Sequence, residues 1–159
     1  MILYLDTSAF VPLLIEEPTS QICGDLWDAA DRVVTTRLTH IEAAAALAMA
    51  ERLHRITGEQ HDAGRERLDE LWPQLDLVEL DDHLMSAAAQ ASRSHSLRGY
   101  DAVHFAAALT VNGESLVAVA GDRALLDAWS AEGIAVIDTN TQPPDSGSTE
   151  GAPSPEDRH

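Results

Sequence analysis

Four carboxylates in this chain stand where acids do chemistry: Asp6, Glu42, Asp101 and Asp122. Asp6 and Asp122 each follow a short apolar run, Ile2-Leu3-Tyr4-Leu5 and Ser115-Leu116-Val117-Ala118-Val119-Ala120. Such runs read as buried strands, and open α/β sheets place their sites at the carboxyl ends of strands. Glu42 and Asp101 fall in the first turns of predicted helices. Each acid also has a plain structural reading: Asp6 and Asp122 as N-caps, Glu42 as the partner of Thr39 in a capping box, Asp101 as the cap of its own helix. If the four ends converge, however, their carboxylates face one another, and like charges that close do not all stay ionised without a cation. A hard divalent ion with oxygen ligands, Mg²⁺ or Mn²⁺, is the simplest answer. The histidines offer no comparable zinc pattern. His40 and His104 lie near Glu42 and Asp101 in sequence, and no cysteine accompanies them. His104, on an apolar helix, reads as a hydrogen-bonded core residue.

The elements that must position these acids follow from the same patterns. After Asp101, residues Val103, Phe105, Ala106, Ala107 and Leu109 cover nearly the whole helix circumference. A helix apolar all round is buried, so this is the central helix, expected from Asp101 to a break at Asn112-Gly113. Gly99 is expected to stop the helix before it. Ahead of that lie a helix through Phe10, Val11, Leu14 and Ile15, a second from Thr19 or Ser20 to Ala30, and a strand at Arg32–Thr35. A long Ala-rich helix then runs from Thr39 to about Arg55, followed by one over Glu59–Trp72. Leu75–Leu80 alternates as an edge strand, and Asp82 caps a helix to about His95. A helix to about Glu132 and a strand at Ile134–Ile137 close the series. Trp27, Trp72 and Trp129 lie on apolar helix stripes and read as core or interface. Strands alternating with helices imply a parallel sheet covered on both faces. From residue 140 to 159 the Pro-, Ser- and acid-rich chain reads as a disordered tail behind a domain spanning residues 1–139.

Composition removes several alternatives. The net charge is −17, and all ten basic residues are arginine. Without lysine there is no P-loop and no Schiff-base enzyme. The acidity argues against a basic nucleic-acid coat, but leaves room for an enzyme that holds its cation as a metal. Arg37 precedes Glu42 by five residues and Arg98 precedes Asp101 by three. These two are the candidates for a local RNA-binding strip, although each reads equally as a solvated side chain. Cys23 is the single cysteine and reads as a small apolar core residue. With no basic segment ahead of an apolar stretch, no membrane-length run and no possible internal disulfide, the expectation is a cytoplasmic protein.

Leu5-Asp6-Thr7-Ser8-Ala9, Glu42 early in an Ala-rich helix, Tyr100-Asp101-Ala102-Val103-His104 and Gly121-Asp122-Arg123 resemble, in order and spacing, the PIN-domain nucleases. Among these they are similar to the VapC toxins of bacterial VapBC toxin–antitoxin pairs. The resemblance covers residues 1–138. It implies an α/β/α sandwich with a five-stranded parallel sheet and a Mg²⁺-dependent endoribonuclease, usually a homodimer, silenced by a VapB antitoxin. By motif match it makes Asp6, Glu42, Asp101 and Asp122 the catalytic and metal-binding quartet, with Ser8 supporting the first acid. In one departure, many relatives carry Thr or Ser two residues before the last acid and this chain has Ala120, which removes a hydroxyl available to orient metal or water. Restoring it is expected to raise the cleavage rate modestly. Two other readings share these residues: a PIN nuclease for RNA processing or DNA structures, and a binding module whose acids merely cap helices.

Overall fold

The alternation along the first strand sets the layers. In β1 (Ile2–Leu5), Leu3 and Leu5 enter one buried cluster and Tyr4 the other. Both faces are apolar because both are covered, as parallel strands require. The structure is a computed structural model and describes residues 1–111 and 115–141. β1 lies at the centre of a five-stranded sheet. β2 (Arg32–Thr36) and β3 (Asp76–Val78) extend it on one side, and β4 (Leu116–Ala120) and β5 (Ala135–Asp138) on the other. All pairs are parallel, with Tyr4 beside Val34 and Leu5 beside Val119.

The cluster around Leu3 and Leu5 is closed by α1 (Thr7–Phe10), α2 (Ser20–Ala29), α3 (Leu38–Arg52) and α4 (Gly58–Leu71). The cluster around Tyr4 is closed by α5 (Asp82–Ser94), α6 (Gly99–Thr110) and α7 (Arg123–Ala131). This is the expected three-layer sandwich. Trp129 is fully buried, while Trp27 and Trp72 pack at the margin of the first cluster. Gly64 lets α4 approach: a Cβ there would lie 2.9 Å from a Leu47 methyl. The chain runs outward from β1 to β3, then returns to the other side of β1 for β4. That reversal leaves a crevice beyond the carboxyl ends of β1 and β4, the position where open sheets bind ligands.

Several local expectations give way to tertiary contacts. Pro12 has no N–H to continue α1, so the chain tightens into a 3₁₀ turn over Val11–Leu13. Asp81, one residue earlier than expected, caps α5 through the Leu84 N–H. Gly99 does not stop α5. It is the first residue of α6, and the left-handed residue ending the previous helix is Ser96 (φ 54°). Asp101 is therefore no cap, since the N-cap position belongs to Arg98. Thr39 and Glu42 form no capping box either. α3 starts at Leu38, whose N–H donates to the Thr36 hydroxyl, and Thr39 bonds Thr35 in the core. A capping box is formed instead by Thr57 and Gln60, at the head of α4.

α6 is buried continuously from Asp101 to Ala108. The expected break at Asn112-Gly113 and residues 142–159 of the expected tail lie outside the described residues. Asn140 and Thr141 belong to the fold, since the Asn140 amide donates to the Gly121 carbonyl and the Thr141 hydroxyl to that of Asp138.

Candidate active site

The crevice beyond β1 and β4 opens into a cleft of about 810 Å³ lined by Asp6, Asp101 and Asp122. Asp6 follows β1 directly. The Ser8 hydroxyl donates to its Oδ2 at 2.6 Å and accepts the Gly121 N–H at 2.8 Å. One hydroxyl thus ties the first acid to the end of β4, in the supporting position expected of Ser8. Gly121 is closely fitted, since a Cβ there would lie 3.2 Å from the Asn140 and Thr139 side chains, which would have to give by a few tenths of an ångström. Asp122 caps α7 through Oδ1, accepting from the Leu125 N–H at 3.0 Å, and turns Oδ2 toward the cleft. Asp101 is held in the first turn of α6, where a carboxylate is favoured by the helix dipole.

Two basic side chains face this cluster. Arg98 donates to Asp101 at 2.8 Å and reaches Asp122 at 3.4 Å. His104, buried in α6, bonds Glu42 through Nε2 at 2.8 Å and lies 3.4 Å from Asp6 Oδ1, while Nδ1 meets the Tyr4 hydroxyl at 3.0 Å. Burial alone would lower the His104 pKa. The hydrogen bond to Glu42 and the charges of Asp6, Glu42 and Asp101 outweigh it, and the group titrates above the ordinary 6.5. Glu42 titrates below its ordinary 4.5, because hydrogen bonds from His104 and Thr7 outweigh its own desolvation. Burial first, then the charges of Asp6 and Glu42, push the Tyr4 phenol well above 10, so it keeps its proton.

Three of the four acids therefore share one cleft. Glu42 stands behind Thr7, whose hydroxyl donates to it, and is joined to Asp6 through His104. Among the described residues, no three His, Cys, Asp or Glu side chains close into a ready metal cage. The donor set nevertheless fits a hard divalent ion: it is all oxygen and anionic, and Ser8 and Arg98 engage Oδ2 of Asp6 and Asp101 rather than Oδ1. Arg98 lies in the cleft, as its spacing suggested. Arg37 does not line it, and pairs instead with Glu79 at the β3 edge, 2.6 Å away. Sequence reasoning placed His104 in the core but missed the clamp it forms with Thr7 and Tyr4. It also missed Arg55, which lines the cleft. Thr7, adjoining Asp6, was the available signal for the clamp.

Ala120 is fully buried in the cluster under α6 and α7. Adding two heavy atoms to such a site costs about 1–3 kcal/mol, so Ala120→Thr is expected to lose stability whatever its effect on the cleavage rate. Ala120→Ser, smaller by a methyl group, is the variant in which a gain in cleavage can be read, and melting temperature measured beside cleavage rate checks both.

A family model described as the PIN domain matches residues 3–128, and the chain belongs to the PIN domain family. Two Mycobacterium tuberculosis proteins, ribonucleases VapC45 and VapC49, are each 39% identical to it over 143 residues, covering 89% of this chain and 99% of theirs. The fold is also that of FitAcB from Neisseria gonorrhoeae, whose crystal structure superposes with a TM-score of 0.63 at 21% identity, over 87% of this chain and 98% of that one. PIN-domain ribonucleases as a class depend on divalent metal.

Proposed function

We propose that this protein is an endoribonuclease toxin of the VapC type, cleaving RNA phosphodiester bonds with Mg²⁺, or Mn²⁺ in its place, and neutralised by a VapB-like antitoxin. The observation that carries the reading is the convergence of Asp6, Asp101 and Asp122 in one cleft at the β1/β4 switch, in a chain 39% identical to two VapC ribonucleases. Asp101 and Glu42 favour it over a binding module whose acids only cap helices, because neither caps anything.

The three cleft acids would hold the divalent ion, with Glu42 behind them adding negative charge; when bound, the ion would supply an activated water and neutralise charge on the phosphate. Ser8 fixes the Asp6 carboxylate, the α7 N-terminus fixes Asp122, and the Thr7–His104–Tyr4 set fixes Glu42. Arg98 is largely exposed beyond its acidic contacts and can turn to a substrate phosphate. Arg98→Ala is accordingly expected to slow cleavage about tenfold while leaving Mg²⁺ binding intact, since the variant keeps every carboxylate. Cleavage at the wild-type rate would remove Arg98 from the substrate path.

No described helix is long and apolar enough to cross a membrane. The proposed setting is the cytoplasm and the proposed assembly a homodimer, which sedimentation at micromolar concentration tests. The decisive experiment incubates purified protein with total RNA, with and without Mg²⁺, and maps new 5′ ends. Metal-dependent cuts at defined positions are expected, and intact RNA at all Mg²⁺ and Mn²⁺ concentrations would overturn the reading.

A further inference from the structure

The cleft does not end at the acids. Its remaining wall comes from the chain after α1 and from the turn after α3, and includes Ile15, Glu17, Arg55 and Ile56. Two guanidinium groups line the cleft among the described residues. Arg98 is engaged by Asp101 and Asp122, whereas among the described residues the acid that Arg55 meets is Glu17, at 3.7 Å. That separation is too long for a hydrogen bond, and a solvent-exposed pair of this kind is worth little, so the guanidinium is available to a stronger acceptor.

The backbone holds Arg55 in place. α3 ends with the His54 N–H on the Glu51 carbonyl and the Arg55 N–H on that of Ala50, both at 2.9 Å, with His54 left-handed (φ 55°). This is the Schellman closure, usually made by glycine. Ile56 then packs against the same core cluster as Ile15, and both line the cleft. On a chain of net charge −17, a polyanion is repelled at long range, and each bound phosphate must be matched by a local cation.

We propose that Arg55 is a phosphate anchor for the substrate strand, gripping a phosphate next to the one cleaved, while the aliphatic surface of Ile15 and Ile56 receives the face of the adjoining nucleobase. The assignment rests on the ribonuclease reading and gives Arg55 the role that sequence spacing suggested for Arg37.

The test titrates a fluorescein-labelled single-stranded RNA 12-mer in chelator across a NaCl series, read by anisotropy. Arg55→Ala is expected to weaken binding three- to tenfold and to flatten the log–log salt slope by about 0.7, the value for one phosphate of a single strand. Arg55→Lys keeps the slope, and Arg37→Ala changes neither quantity. In Mg²⁺, Arg55→Ala raises KM and leaves kcat near wild type. Wild-type affinity and slope in Arg55→Ala, or the loss appearing in Arg37→Ala instead, overturns the assignment. Wild-type protein that binds RNA but never cleaves it refutes the parent reading alone, and wild-type protein that does not bind RNA refutes both.

Discussion

Asp101→Asn is expected to abolish RNA cleavage, by at least ~10²-fold, while the protein stays folded. Changing a group that only supports a metal ligand typically costs 10- to 100-fold, and a ligand itself more. Asparagine keeps the shape of the side chain and a carbonyl oxygen but removes one of the three charges, with Asp6 and Asp122, on which the proposed cation site depends. The fold depends little on that charge, because its ion pair is with Arg98, whose side chain is 78% exposed. Calorimetry should show Mg²⁺ or Mn²⁺ binding lost or severely weakened with an unchanged far-ultraviolet spectrum. Unchanged metal affinity would remove Asp101 from the site. The same variant reports on the antitoxin. A partner rich in basic residues is favoured by this acidic surface, and if one of its arginines enters the carboxylate cluster, Asp101→Asn loosens the complex as well. Equal affinity for wild type and variant would mean that inhibition acts elsewhere.

The largest expected loss of stability comes from His104→Ala. The variant leaves the Tyr4 hydroxyl and the Glu42 carboxylate without their imidazole partner and opens a void beneath the cleft. Breaking a buried pair in this way costs about 3–5 kcal/mol, and the lower end applies because Glu42 keeps part of its hydration. For a domain of this size that is roughly a 10 °C fall in Tm. His104→Gln, whose amide nitrogen can still reach Glu42, should recover part of it. An unchanged Tm in His104→Ala would mean that the clamp adds nothing to stability.

The same clamp makes stability depend on pH. The His104 pKa is raised on folding, so its contribution is fully present below 6.5 and lost as pH rises through the higher folded value. The Glu42 pKa is lowered on folding, so its contribution is present above 4.5 and lost as pH falls through its folded value. In chelator, the stability difference between wild type and His104→Gln should therefore be greatest between about 4.5 and 6.5 and shrink on either side. A difference independent of pH would contradict this.

The layers were legible in the sequence because β1 and β4 are short apolar runs ended by acids and α6 is apolar all round. Those patterns record burial, which is what decides the architecture. What failed was the choice among neighbouring polar residues of similar type. Asp81 and Asp82 both make good caps, and only the path of the loop selects between them. Thr39 and Glu42 have the spacing of a capping box, yet Thr39 is drawn inward to Thr35. That contact joins β2 to α3 and has no signature in local spacing. Arg37 and Arg55 show the same limit. Proximity to Glu42 in sequence favoured the first, while the left-handed turn at His54 brings the second to the cleft. His104 as a core residue was readable from its apolar helix, but its four partners come from two distant parts of the chain: Tyr4, Asp6 and Thr7 around the end of β1, and Glu42 in α3.

The pairing of β1 with β4 also sets when, during synthesis, the cleft can exist. Asp6 leaves the ribosome first, but the strand it follows lacks one of its two neighbours until β4 is made, and the Ser8 hydroxyl lacks the Gly121 N–H. Asp101 and Asp122 are separated from Asp6 by most of the described chain. At ordinary elongation rates the interval is on the order of ten seconds. A nascent chain that stops short of residue 122 carries the first acid on an incomplete sheet and cannot assemble the acidic cleft. Premature termination thus yields fragments without the site, and the chain cannot act on RNA until most of its described residues have been translated.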